Sequence, residues 1–205
     1  MNKKKIFIIT ILLIILIISI FLIFFNNKKA KNNKIGNNSS SQEIVDYILN
    51  INSYNATVEV EINSNKNKNK YKIKQQYNNQ GTNMQEIIEP NNIAGVKIIK
   101  EGENLRIENT NLNLSTVFEK YNYIGDNALD LENFIKNYKD NSESKYEEEN
   151  EQIIMETVDN SNEKNIKHKK LYIEKKSGKL EKMEIKDTNK NSSIYIIYNE
   201  VNVNS

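Results

Sequence analysis

The chain of 205 residues has no cysteine and no tryptophan, one proline (Pro90), one arginine (Arg106) and one histidine (His168). Without cysteine there can be no disulfide, and no thiol to carry a lipid at the usual position. With one histidine and no thiolate, an ordinary structural zinc site is excluded too. A basic surplus is also missing. Lys3, Lys4 and Lys5 precede every acidic residue, and residues 26–205 then hold 26 basic against 27 acidic side chains, a net charge of −1. Such a balance gives no electrostatic reason to expect nucleic acid or another polyanion as a partner. No catalytic motif stands anywhere in the chain. What it has in excess is asparagine, lysine and isoleucine, the bias that A+T-rich codons produce.

One long apolar run is present. Residues 6–25 are all apolar except Thr10 and Ser19, with three lysines before them and Asn26-Asn27-Lys28-Lys29 after. A helix of that length spans roughly 30 Å, the hydrocarbon thickness of a bilayer. It is longer than the apolar region of a signal peptide, and no pair of small residues marks a cleavage site. The expectation is a retained transmembrane helix within residues 1–25, in contact with the cytoplasmic membrane through residues 6–25. Lysines flank both ends, so the positive-inside bias nearly cancels. The short basic start favours a cytoplasmic N-terminus, and hence a single-pass cell-membrane protein with its C-terminal domain outside.

Residues 26–39 are polar and read as a linker. A folded domain is expected over residues 40–205, long enough for a substantial core. Ser40 and Glu43 form a capping-box pair, and Ile44, Val45, Ile48 and Leu49 follow at helical spacing. From Tyr54 the period changes to two. Tyr54, Ala56, Val58, Val60 and Ile62 alternate with polar neighbours, and after a polar tip the alternation resumes at Tyr71, Ile73 and Tyr77. This predicts an antiparallel hairpin with glutamates facing lysines on its outer face. Further strands are expected at 84–89, 93–100, 105–108, 152–158, 167–174, 180–187 and 193–203, making nine or ten in all. Turn signals at Asn79-Gln80-Gly81, at Glu101-Gly102-Glu103-Asn104 and at Lys176-Ser177-Gly178-Lys179 separate several of them.

Leu131, Phe134, Ile135 and Tyr138 stand at i, i+3, i+4 and i+7, which predicts a helix packed on the core. Leu114, Val117, Phe118 and Tyr121 repeat the spacing and predict a second. Residues 139–150 read as a charged loop. The expected fold class is α+β, a curved antiparallel sheet wrapping its helices.

The run Glu86-Ile87-Ile88-Glu89-Pro90-Asn91-Asn92-Ile93-Ala94-Gly95-Val96-Lys97-Ile98-Ile99 resembles a segment of the clostridial GerS-type germination lipoproteins, as does Leu129-Asp130-Leu131-Glu132-Asn133-Phe134-Ile135. The last strands, from Leu171-Tyr172-Ile173-Glu174 through Gly178-Lys179-Leu180 to Ile194-Tyr195-Ile196-Ile197-Tyr198, resemble those of the wider LolA-like superfamily. That resemblance covers roughly residues 40–204. It implies a half-barrel sheet closed by helices, here preceded by the transmembrane helix. It also implies a partner such as a cell-wall amidase, or an acyl ligand held between sheet and helices. The absent cysteine departs from the lipoprotein pattern, and Leu180 stands where a proline often follows the late turn glycine.

Candidate sites are weak. His168, in Lys167-His168-Lys169-Lys170, reads as a solvated histidine on a strand. Glu147, Glu148, Glu149 and Glu151 lack the spaced oxygen ligands and glycine of a calcium loop. Ser39-Ser40-Ser41 has neither nucleophile elbow nor base. The Asn-Lys repeat at 65–70 reads as a loop tip. Asn55-Ala56-Thr57 and Asn113-Leu114-Ser115 match the glycosylation pattern without further support. No catalytic, cofactor or metal residue is assigned. The expected function is a membrane-anchored, non-catalytic binding or scaffold protein of the envelope or spore, assisting germination or cortex processing. The alternative is a carrier or sensor of a lipid ligand in a hydrophobic groove.

Overall fold

The structure is a computed structural model that describes residues 39–64, 66–79, 81–120, 129, 131–159, 167–187 and 192–204. Helix α1 (Ser41–Leu49) begins as its capping box requires. The Ser40 hydroxyl accepts the Glu43 N–H at 3.2 Å, and the Glu43 carboxylate accepts the Ser40 N–H at 2.8 Å. Two of the helix's orphan donors are thereby satisfied. Its inward face is Ile44, Val45 and Ile48.

The strands are β1 (Ser53–Ser64), β2 (Lys68–Asn78), β3 (Asn83–Glu89), β4 (Val96–Glu101), β5 (Asn104–Asn109), β6 (Leu114–Phe118), β7 (Lys145–Glu149), β8 (Gln152–Asp159), β9 (Lys167–Glu174), β10 (Leu180–Asp187) and β11 (Ser192–Asn204). Helix α2 (Leu131–Asp140) lies between β6 and β7 in the chain. All eleven strands form one antiparallel sheet in the order β6-β5-β4-β3-β2-β1-β11-β10-β9-β8-β7. The first and last strands meet in the middle, and the described sheet has two free ends, β6 and β7. On β1 and β2 the outward residues pair Glu59 with Lys72 and Glu61 with Lys70, as the alternation predicts.

Both helices bury their apolar stripes on one face of the sheet. Leu131 and Phe134 of α2 and Ile44 and Ile48 of α1 are fully buried with Val58, Ile153, Met155, Leu171, Ile173, Met183 and Ile196. This core draws on β1, β2 and β8 to β11, and includes no residue of β3 to β7. Among the described residues the cover is therefore one-sided. The inner face of β3 to β6 continues past the helices.

Several expectations need correction. The sheet is open, with helices resting on part of one face, and not a half-barrel closed by helices. The expected helix at Leu114, Val117 and Phe118 is strand β6, while Tyr121 lies outside the described residues. Its spacing also suits a short exposed strand, and β-branched Thr116 and Val117 favour that state. Within the expected loop 139–150, residues 145–149 form edge strand β7. No helix among the described residues is long and apolar enough to cross a membrane. Helices α1 and α2 have 9 and 10 residues, where a span needs about 20. The expected span 6–25 lies outside the described residues. The membrane-anchored function, the membrane contact through residues 6–25 and the single-pass cell-membrane localisation therefore do not stand on this structure.

Candidate functional site

Strand alternation decides what the uncovered inner face presents. Gln85 of β3 lies opposite Ile98 of β4, which lies opposite Ile107 of β5, itself opposite Thr116 of β6. One step along, Leu105 faces Phe118, and Asn109 faces Leu114. Because Gln85 pairs with the buried, inward Gln75, this whole row belongs to the helix side of the sheet. Ile98, Leu105, Ile107, Leu114 and Phe118 thus make an apolar flank beside the packed core. It is open: Ile107 is 37 % exposed, Phe118 41 % and Leu114 61 %. Gly95 ties this flank together with φ +83°, where a Cβ would meet Asn111 Nδ2 at 2.6 Å. Asn111 donates to the Ala94 carbonyl at 3.1 Å, fixing the β5–β6 turn against the start of β4.

Between the flank and the helices runs a polar seam. Gln75 donates to the Leu129 carbonyl at 3.1 Å and accepts the Tyr54 hydroxyl at 3.4 Å. Asn83 donates to Glu132 of α2 at 2.9 Å. Deeper under α2, Lys169 of β9 is fully buried and donates to Asp159 Oδ2 at 2.9 Å and to the side-chain oxygens of Asn133 and Asn137. Asn133 and Asn137 are one helical turn apart, so one face of α2 receives the ammonium. Three acceptors match its three protons, which is what makes a charge tolerable there.

The outer face offers less. A depression of about 180 Å³ near the β1 bulge is lined by Asn55, Thr57, Lys74, Glu86 and Glu200. Ligand pockets for drug-sized molecules run to about 300–1,000 Å³, so a depression of this size suits an acyl chain poorly.

The candidates from sequence are scattered. His168 is exposed on β9, opposite Val158 and Lys186. Glu147, Glu148 and Glu149 lie on edge strand β7, whose alternation sends them to opposite faces, and Glu151 follows in the turn. Lys175, and then Ser41, whose hydroxyl donates at 2.6 Å, hold the Glu148 carboxyl below its ordinary range. Among the described residues no group of histidine, aspartate or glutamate is placed to hold a metal ion. Lys68 and Lys70, at the expected loop tip, engage Glu61 at 2.6 and 3.2 Å. Ser40 is the cap of α1, and Asn55 and Asn113 are exposed on β1 and in the turn before β6. Sequence reasoning missed Lys169 and the apolar flank. Period-two counting places Lys169 on the face of Leu171 and Ile173, the one signal that marked it as inward.

The family model described as sporulation protein YdcC-like matches residues 3–205. No curated protein sequence matches the chain. Among solved structures, a LolA superfamily protein from Nitrosomonas europaea is similar, with 10 % identity and a TM-score of 0.44 over 82 % of this chain and 94 % of that one. The complex of the CwlD amidase with the GerS lipoprotein from Clostridioides difficile contains a chain similar at 23 % identity and a TM-score of 0.44, over the same shares of the two chains. The lipoprotein LppX from Mycobacterium tuberculosis is similar at 12 % identity and a TM-score of 0.43, over 80 % of this chain and all of that one. Likenesses at this level carry no functional weight.

Proposed function

We propose, for a chain that belongs to the sporulation protein YdcC-like family, that it is a non-catalytic binding domain acting in sporulation, and that its inner flank holds an apolar ligand of the acyl-chain class. The observation that carries this reading is the run of Ile98, Leu105, Ile107, Leu114 and Phe118 on the helix side of the sheet, outside the helical cover. A solvent-exposed apolar surface of that kind beside a core is where an acyl chain can complete the burial that the helices leave unfinished. The scatter of His168 and the acidic residues supports a role without chemistry.

Titration of the full chain with a dansyl-labelled fatty acid tests it. Saturable binding with a Kd of ~1–100 μM is expected, about the strength that one chain on an open flank supplies. Ile107→Asp should weaken it at least about tenfold, roughly 1.4 kcal/mol. Ile197→Asp, on the opposite face of β11, should not. Absence of saturation, or equal loss from both variants, overturns the reading.

A second reading has its own support. The germination-lipoprotein resemblance of the sequence implies a protein partner, with a cell-wall amidase as the first to test, and the uncharged edge strand β6 is a surface suited to one. Co-purification of an amidase that survives Ile107→Asp but not Val117→Lys would favour this reading over the first.

A further inference from the structure

The two ends of the described sheet are built differently. Strands β6 and β7 have five residues each and are exposed along their whole length, so length does not distinguish them. Strand β7 reads Lys145-Tyr146-Glu147-Glu148-Glu149, four charges in five residues. Charge on an edge is a standard defence against a second strand docking there. Strand β6 reads Leu114-Ser115-Thr116-Val117-Phe118, with no charge, no proline and β-branched residues at its centre. Its own side chains supply none of the charge or proline defences against a docking strand.

The sequence of β6 is also complementary to itself. In an antiparallel pairing about a two-fold axis at Thr116, Leu114 faces Phe118 of the second copy, Ser115 faces Val117, and Thr116 faces Thr116. An apolar residue meets an apolar one, and the two small polar positions meet nothing they repel. The same operation on β7 would set Glu147 against Glu147, a like-charge pair directly across the strands. The inner face agrees: Leu114 lies on the side of Ile107, so pairing would join the two apolar flanks into one and cover part of Leu114, now 61 % exposed. On the outer face, Val117 is 53 % exposed and lies opposite Arg106.

We propose that a second copy of this chain docks on β6, edge to edge and antiparallel about Thr116, so that two eleven-stranded sheets become one through an isologous two-fold contact. This surface goes beyond the proposed acyl site, because it uses the strand edge and the outer residue Val117, neither of which that site needs.

The absence of cysteine supplies the test. Thr116→Cys puts the only thiol of the full chain on the axis, where residues facing across an antiparallel pair lie about 4.5–5.5 Å apart, within disulfide reach. Under mild oxidation this variant should form a covalent dimer roughly tenfold faster than Glu147→Cys on the other edge, equivalent to about 1.4 kcal/mol of pairing. Adding Val117→Lys should remove that advantage by placing an ammonium in the seam. Adding Ser115→Glu as well should restore it, because in this register residues 115 and 117 face each other between copies. Circular dichroism on each variant checks that the sheet is intact. Equal rates for Thr116→Cys and Glu147→Cys overturn the proposal. An advantage that Val117→Lys leaves untouched overturns it as well, and so does one that Ser115→Glu fails to restore.

Discussion

Lys169 Nζ donates to Asp159 Oδ2 at 2.9 Å with both side chains essentially excluded from solvent. The pair joins neighbouring strands β9 and β8, and Asn133 and Asn137 bring α2 onto the same ammonium. Removing one member of such a pair leaves the other charged and buried, which typically costs about 3–5 kcal/mol. Lys169→Met should therefore lower the unfolding free energy by that amount in urea titration. Lys169→Met combined with Asp159→Leu should recover most of the loss, since apolar residues of similar volume often replace a buried pair without penalty. A double mutant no more stable than the single one would mean that the ammonium's other partners set the cost.

Phe134 is fully buried, with its ring 6.0 Å from that of Tyr138. Phe134→Ala should cost roughly 3–5 kcal/mol in chemical denaturation, because both transfer and cavity contributions are lost. A cost below about 1 kcal/mol would place α2 outside the cooperative core.

Glu61 carries a testable pH dependence. Lys68 first, then Asn63 and Lys70, hold its carboxyl at about 2, against an ordinary 4.5. The folded state thus keeps the charge where the unfolded chain would take up a proton. The stabilisation is complete above about 4.5 and is lost as the pH falls through about 2. Carboxyl-carbon NMR should find this midpoint near 2. Glu61→Gln should flatten the acid limb of the stability curve in that window, and about 1 M salt should do much the same, because the cluster is exposed and screened. An ordinary midpoint in the folded protein would show that Lys68 and Lys70 do not hold the carboxylate.

The strongly periodic parts of this chain were legible before the structure. Ser40 with Glu43 marked the start of α1, the Leu131, Phe134, Ile135 and Tyr138 stripe marked α2, and residues 167–174 and 180–187 coincide with β9 and β10. Edge strands were not legible. Both faces of β7 meet solvent, so Lys145 to Glu149 show no alternation to read, and the apolar spacing of β6 fits a helix as well as a strand. Lys169 looked like one of a run of surface lysines. Its partners come from β8 and α2, elements that only the tertiary fold brings beside it. The apolar flank was hidden for a related reason. Strands at 93–100 and 105–108 were expected, but only the tertiary position of the helices decides that Ile98 and Ile107 lie beyond the packed core.

Strands β1 and β11 lie side by side at the centre of the sheet, with Tyr54 opposite Val203 and Val60 opposite Ile196. Synthesis must therefore reach residues 192–204 before residues 53–64 gain their second neighbour. Until then the nascent chain holds two incomplete sheets, one ending on β1 with Val58, Val60 and Ile62 along its raw edge, the other on β10 with Met183 and Ile185. Contacts of such long sequence separation form slowly, and the waiting intermediate is prone to join other chains. The sheet's most vulnerable moment thus falls just before β11 is made, and a chain stalled short of it would be left with its central seam unsealed.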